Sequence, residues 1–217
     1  MFEMLAAWGQ GCAACSHPVE TTRPGLEGRL CLRCRQDLPD GLASIASVPE
    51  FISEGWCLGP YSGLLGGLLR SAKYGGREDV LLELGRFLAS KVQTDLAAEQ
   101  FDGMATVPAS MVHRLGRGFD PVELLAARLP QVLDAPLSPA LRRRGGASQA
   151  GQSREDRVAN VRGVYTGRSA ISGRWLLIDD VLTSGATASA CALALRESGA
   201  SSVSLLVVAA AAGVRSL

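Results

Sequence analysis

The sequence predicts an α/β domain with a mainly parallel sheet flanked by helices, preceded by a small cysteine-rich segment. Three observations predict it. Strand-like and helical stretches alternate through residues 63–217, the last two strand-like stretches are continuous apolar runs, and four of the six cysteines stand in two close pairs near the amino terminus. Alternating strands and helices point to βαβ units. Continuous apolar strands fit a sheet covered by helices on both faces. A chain of 217 residues, 47% hydrophobic and 20% charged, is long enough for one sizeable core and an appendage.

The formal net charge is +1, so no molecule-wide field recruits nucleic acid. The opening MFEMLAAWGQGC carries an acid and no basic leader, unlike a secretory signal. The run Val203 to Val214 is too short to cross a bilayer. The expectation is a cytoplasmic protein with no membrane insertion.

Residues 1–45 read as a loop-rich unit, and 46–62 as a connecting segment containing Pro49, Gly55, Gly59 and Pro60. The main domain spans 63–217. Leu64 to Gln100 has apolar residues three and four apart, which predicts helix, broken near Gly75-Gly76. GMATVPA (103–109) predicts a short strand. Asp120 and Pro121 start a helix running to Val132. A short strand is expected in 136–143, and a polar loop over 144–160 with a short helix begun by Ser153. GRWLLIDDV (173–181) is a strand, Ala186 to Ser198 an Ala-rich helix closed by Gly199, and 202–212 the last strand.

Cys12-x2-Cys15 and Cys31-x2-Cys34, fifteen residues apart, match the spacing of a four-thiolate zinc site. Each turn aims two sulfurs at one point, and four sulfurs complete a tetrahedron about 2.3 Å from Zn²⁺. A site closed by four thiolates has no open position, so this zinc is structural. It would supply folding energy that a segment this small lacks. His17 is expected to be exposed, and Cys57 and Cys191 to be buried small residues.

LLIDDVLTSGAT (176–187) is the richest motif. An apolar strand ends in Asp179 and Asp180, and a small hydroxyl-bearing loop leads into a helix. In parallel sheets, ligands bind beyond the carboxyl ends of strands. A helix amino terminus presents free N–H groups and a partial positive charge, suited to phosphate. Gly185 lets the backbone approach the anion, and Thr183, Ser184 and Thr187 add donors beside Ala186. The carboxylates then suit what adjoins the phosphate: sugar hydroxyls or a cation. No Walker A pattern occurs.

This motif resembles the phosphoribosyl-pyrophosphate (PRPP) signature of type I phosphoribosyltransferases. The resemblance implies that fold, with Asp179 and Asp180 on the ribose diol, Thr183 to Thr187 around the 5′-phosphate, and Mg²⁺ arriving with PRPP. A zinc-ribbon-like segment joined to such a domain, with LLRSAKYGG (68–76), VHRLGRGFD (112–120) and QAGQSREDRVANVRGVY (149–165), resembles the ComF family of late-competence and GntX-like proteins. That resemblance implies a role in DNA uptake, with single-stranded DNA and competence-machinery proteins as candidate partners. The alternative is an active phosphoribosyltransferase of nucleotide or salvage metabolism with an unassigned acceptor. Arg117 follows the first sheet strand, where type I enzymes place their pyrophosphate loop, and is the third candidate catalytic residue beside the aspartates.

Residues 141–174 hold eight arginines against Glu155 and Asp156. Two readings stand side by side for the 142–157 loop: a lid whose guanidinium forks cover pyrophosphate, or a track for single-stranded nucleic acid. Twenty of the 22 basic residues are arginine, so a solvated basic face is a third.

Overall fold

Two apolar runs without polar alternation, Arg174–Leu182 and Ser202–Ala210, pair in parallel at the centre of a six-stranded sheet. The computed structural model describes residues 11–19, 26–109, 118–144, 163–211 and 214–216. Its strands are β1 (Ala43–Ile45), β2 (Gly55–Pro60), β3 (Gly103–Thr106), β4 (Leu141–Arg143), β5 (Tyr165–Gly167), β6 (Arg174–Leu182), β7 (Ser202–Ala210) and β8 (Val214–Ser216). The sheet order is β3-β6-β7-β2-β1-β8. β3, β6, β7 and β2 are parallel, while β1 and β8 add an antiparallel edge. β4 and β5 form a separate antiparallel ribbon.

The helices are α1 (Leu32–Gln36), α2 (Gly63–Tyr74), α3 (Glu78–Asp95), α4 (Pro121–Ala126), α5 (Leu129–Leu133) and α6 (Ala186–Glu197). They cover both faces, which explains the unbroken apolar strands. Leu176, Ile178, Leu206 and Val208 face the layer of α2, α3 and α4. Leu177, Leu205 and Val207 face α6. In α3, Val80, Leu81, Leu84, Leu88 and Val92 recur at helical spacing and are all buried. Truncating Leu84 to alanine would open a cavity costing roughly 2–5 kcal/mol. The small side chains of Ala188, Ala190, Ala192 and Ala194 let α6 lie close on the sheet. Gly199, at φ +115°, follows its end as the sequence predicts.

Several elements differ from expectation. The helix expected over Asp120 to Val132 is two helices, α4 and α5, because Pro130 lacks the N–H needed to continue the first. Its start is as predicted: the Asp120 side chain accepts the Val122 N–H at 3.0 Å, and Pro121 follows as first residue. The strand expected within 136–143 shortens to β4. Within the 46–62 stretch, read as connecting chain, Gly55–Pro60 forms β2 between β7 and β1. Pro60 is tolerated because it lies beyond the residues that β1 pairs.

The cysteine-bearing segment packs on the main domain. Cys12, Leu26, Leu30 and Cys34 share one buried cluster with α2 and α3. At Gly67 in α2, a Cβ would lie 2.5 Å from the Ala14 carbonyl oxygen, so only glycine lets the first cysteine turn seat here. Arg29 pairs with Asp79 at 2.8 Å across the same junction. No helix among the described residues is long and apolar enough to cross a membrane.

Candidate functional site

β6 carries Asp179 and Asp180 to its carboxyl end, and strand alternation sends them to opposite faces. Asp180 lies on the side of α2. Its Oδ2 meets the Lys73 ammonium at 2.6 Å, with the two side chains only 13% and 18% exposed. Asp179 lies on the side of α6, and its Oδ1 accepts the Asp180 N–H at 2.8 Å. The residue keeps some exposure, but its carboxyl sits deep in the packing. Burial first, then the adjacent Asp180 charge, push its pKa up to about 8, against the opposing pull of the Asp180 N–H and Lys73. The same face holds Cys191, buried in α6 and raised well above the usual thiol range by burial and by the Asp179 charge. Tyr165, on β5, is pushed up to about 12, mainly by burial.

Thr183, Ser184 and Gly185 make a tight turn into α6. Gly185 has φ +78°, and a Cβ there would sit 2.8 Å from Pro49 Cγ, so both backbone and space demand glycine. The turn is not stretched flat. Thr183, Ser184 and Thr187 are exposed, with Gly185 and Ala186 partly so. No side chain caps α6, and the first intrahelical bond near the turn runs from the Ser189 N–H to the Gly185 carbonyl. The earlier N–H groups of α6 therefore face outward beside three hydroxyl-bearing residues, a favourable setting for an anion.

Lys73 is the residue that the spacing did not assign. It comes from the last turn of α2, and only the packing of that helix across β2 and β7 brings it to Asp180. Asp120 is a third acid of this neighbourhood, 7% exposed and engaged as the α4 cap. Arg117, Arg114, Gln149, Ser153, Arg154, Arg157 and Asn160 lie outside the described residues, as does most of the arginine-rich loop.

The described arginines do not gather at the aspartates. Arg174 begins β6 at the opposite end, where it meets Glu99 at 2.8 Å and Glu54 at 3.4 Å and lies over Phe101. Arg142 donates to Thr166 Oγ1, Arg168 to the Leu141 carbonyl, and Arg143 lies over the Tyr165 ring at 5.9 Å. Two cavities of about 580 and 530 Å³ flank Asp102 at that same amino end, the first bordered by Arg168 and Trp175, the second by Glu99 and Arg174.

The four sulfurs of Cys12, Cys15, Cys31 and Cys34 lie within 4.8 Å of one another. Cys15 Sγ is 3.7 Å from Cys31 Sγ and 3.6 Å from Cys34 Sγ. A tetrahedron with metal–sulfur bonds of about 2.3 Å has sulfur–sulfur edges of about 3.8 Å, so the cluster fits Zn²⁺. Burial disfavours the Cys12 thiolate, but the N–H groups of Cys31, Ala14 and Cys15 outweigh it and bring the pKa down to about 7. Burial and neighbouring sulfurs raise Cys34. Such sulfurs hold their charges together only around a cation. Cys57 and Cys191 are fully buried, and His17 is exposed.

No family model matches the chain, and no curated protein matches it. Among solved structures, the chain is similar to glutamine PRPP amidotransferase from B. subtilis, complexed with ADP and GMP. The likeness has 22% identity and a TM-score of 0.39, covering 58% of this chain and 25% of that one. The chain thus spans about a quarter of that protein's length.

Proposed function

We propose that the chain binds a phosphorylated pentose, PRPP with its Mg²⁺, at the carboxyl end of β6. One observation carries this reading: the left-handed Gly185 turn delivers the uncapped start of α6 beside the Lys73–Asp180 pair. The amides of the turn and the hydroxyls of Thr183, Ser184 and Thr187 hold the 5′-phosphate. Asp180 receives the ribose hydroxyls on the α2 side of β6, and the buried carboxyl of Asp179 braces the Asp180 N–H from the other side. Arg117, with Arg154 and Arg157 of the 142–157 loop, would neutralise the pyrophosphate. If transfer follows, a nucleophile attacks the anomeric carbon and pyrophosphate leaves, which needs alignment and charge neutralisation more than a strong base. In the amino-terminal segment, Cys12, Cys15, Cys31 and Cys34 hold a structural zinc.

The finer reading is a ComF-type protein acting in DNA uptake, and its support is the motif resemblance across 68–76, 112–120 and 149–165. The alternative is an active phosphoribosyltransferase of nucleotide or salvage metabolism. Separate titrations of PRPP with Mg²⁺ and of a single-stranded oligonucleotide, on wild type and Asp180→Asn, distinguish these. Loss of PRPP binding in the variant is expected. Joint loss of oligonucleotide binding places both ligands in one site. Pyrophosphate release with any nucleobase supports the enzyme, and unchanged PRPP binding in the variant sinks the reading altogether.

A further inference from the structure

Resting on the pentose-phosphate reading of the same site, we infer that Lys73 is the resident counter-cation of the acid pair. Its ammonium takes the place on Asp180 that a divalent ion would occupy, so a pentose diol is held here without metal on the carboxylates.

The argument starts from the donor set. Mg²⁺ demands oxygen ligands at about 2.0–2.1 Å in near-octahedral array. Lysine offers three donors and no acceptor. An ammonium 2.6 Å from Asp180 Oδ2, with both side chains mostly buried, therefore stands where a metal on that oxygen would sit. The neighbouring acids do not assemble an alternative cage. Asp179 points to the other face and already accepts the Asp180 N–H at 2.8 Å. Asp120 is occupied by the Val122 N–H at 3.0 Å. Each carboxylate thus has its own donor, and among the described residues the four cysteines are the one group of three or more ligand side chains gathered for a metal.

Lys73 also stands at a helix end that suits a cation. It stands in the last turn of α2, where the carbonyl end of the helix favours a cation. After the bond to Asp180, its ammonium keeps two N–H donors, which suit the oxygens of the same diol that donates to the carboxylate. Mg²⁺ would then arrive with PRPP rather than reside on the carboxylates. A pentose phosphate lacking pyrophosphate has no need of it.

The test uses ribose 5-phosphate as probe, on full-length zinc-loaded protein in buffer free of chelator, so that structural zinc stays. Calorimetry is run with and without Mg²⁺ on wild type, Lys73→Met and Lys73→Arg, with Mn²⁺ binding read separately by electron paramagnetic resonance. Wild type is expected to bind equally in both buffers and to hold no Mn²⁺. Lys73→Met is expected to lose about tenfold in metal-free buffer, the scale of one charge-assisted hydrogen bond. It should regain part of that with Mg²⁺ and acquire a Mn²⁺ site, while Lys73→Arg behaves as wild type. A wild type that needs Mg²⁺ for ribose 5-phosphate, or that holds Mn²⁺ and loses it in Asp180→Asn, overturns the inference. If the sugar phosphate fails to bind in either buffer while Mn²⁺ behaves as expected, the pentose reading falls and Lys73 stands as the counter-cation. Melting curves of both variants confirm that they are folded.

Discussion

The two ends of β6 carry similar charges and put them to different use. At the amino end, Arg174 bridges Glu54 and Glu99 with its side chain 43% exposed, rests on Phe101 and donates its backbone N–H to Asp102. Water solvates that cluster, and its ion pairs mainly fix where the strand begins. At the carboxyl end, one lysine and two adjacent acids are held mostly out of water beside an uncapped helix start. Burying charge has a real cost, and in parallel sheets the carboxyl end of a strand is where ligands bind. Ion-pair geometry alone does not separate the two ends. Burial and the unfilled donors of the turn do.

Chelating the proposed zinc is the broadest way to break the comparison, because the first cysteine turn braces α2 at Gly67 and α2 carries Lys73. Chelation is expected to unfold the cysteine segment, given metal-coupled folding energies on the order of 10 kcal/mol in small zinc units. Hydrogen exchange should then rise in α2 before it rises in β6 and β7.

Lys73→Met comes next. It leaves the Asp180 charge without its partner, and urea unfolding should show a loss of about 3 kcal/mol at neutral pH. Asp179 gives a pH signature. Its folded pKa, about 8, lies above that of an unfolded aspartate, so the folded state binds the extra proton between the two values. Its contribution is full below the unfolded pKa and is lost as pH rises through about 8. Asp179→Asn should therefore flatten the decline of melting temperature across that range.

Gly185→Ala forces a side chain onto a φ of +78° and against Pro49, and should cost about 1–3 kcal/mol in thermal unfolding while weakening phosphate binding. Arg174→Ala, at the other end, should cost under about 1 kcal/mol, screened further by salt, and leave ligand binding unchanged. A cost at Arg174 equal to that at Lys73 would erase the distinction.

Much of this was legible in the residues. The apolar runs of β6 and β7, the Asp120-Pro121 start and Gly199 after α6 are local signals, and each stands within a residue or two of its expected place. The cysteine spacing likewise foretold four sulfurs in one cluster. β2 was hidden because GWCLGP holds glycines and a proline that locally mimic a turn, and its pairing partner lies some 150 residues away in β7. β1 and β5 are three residues each, too short for a period to show. Lys73 stood in LLRSAKYGG, a stretch that carries the ComF resemblance, but its partner was hidden for a similar reason. Its meeting with Asp180 depends on how α2 crosses the sheet, and no spacing between residues 73 and 180 encodes that.

The most direct test of the site is a ¹H–¹⁵N chemical-shift map on adding ribose 5-phosphate to the zinc-loaded protein. The account predicts the largest shifts at the amides of Gly185, Ala186, Thr187 and Ala188, with weaker ones at Asp180 and Lys73. Shifts gathered instead around Asp102, Arg168 and Arg174 would contradict it, by moving the ligand to the wrong end of β6.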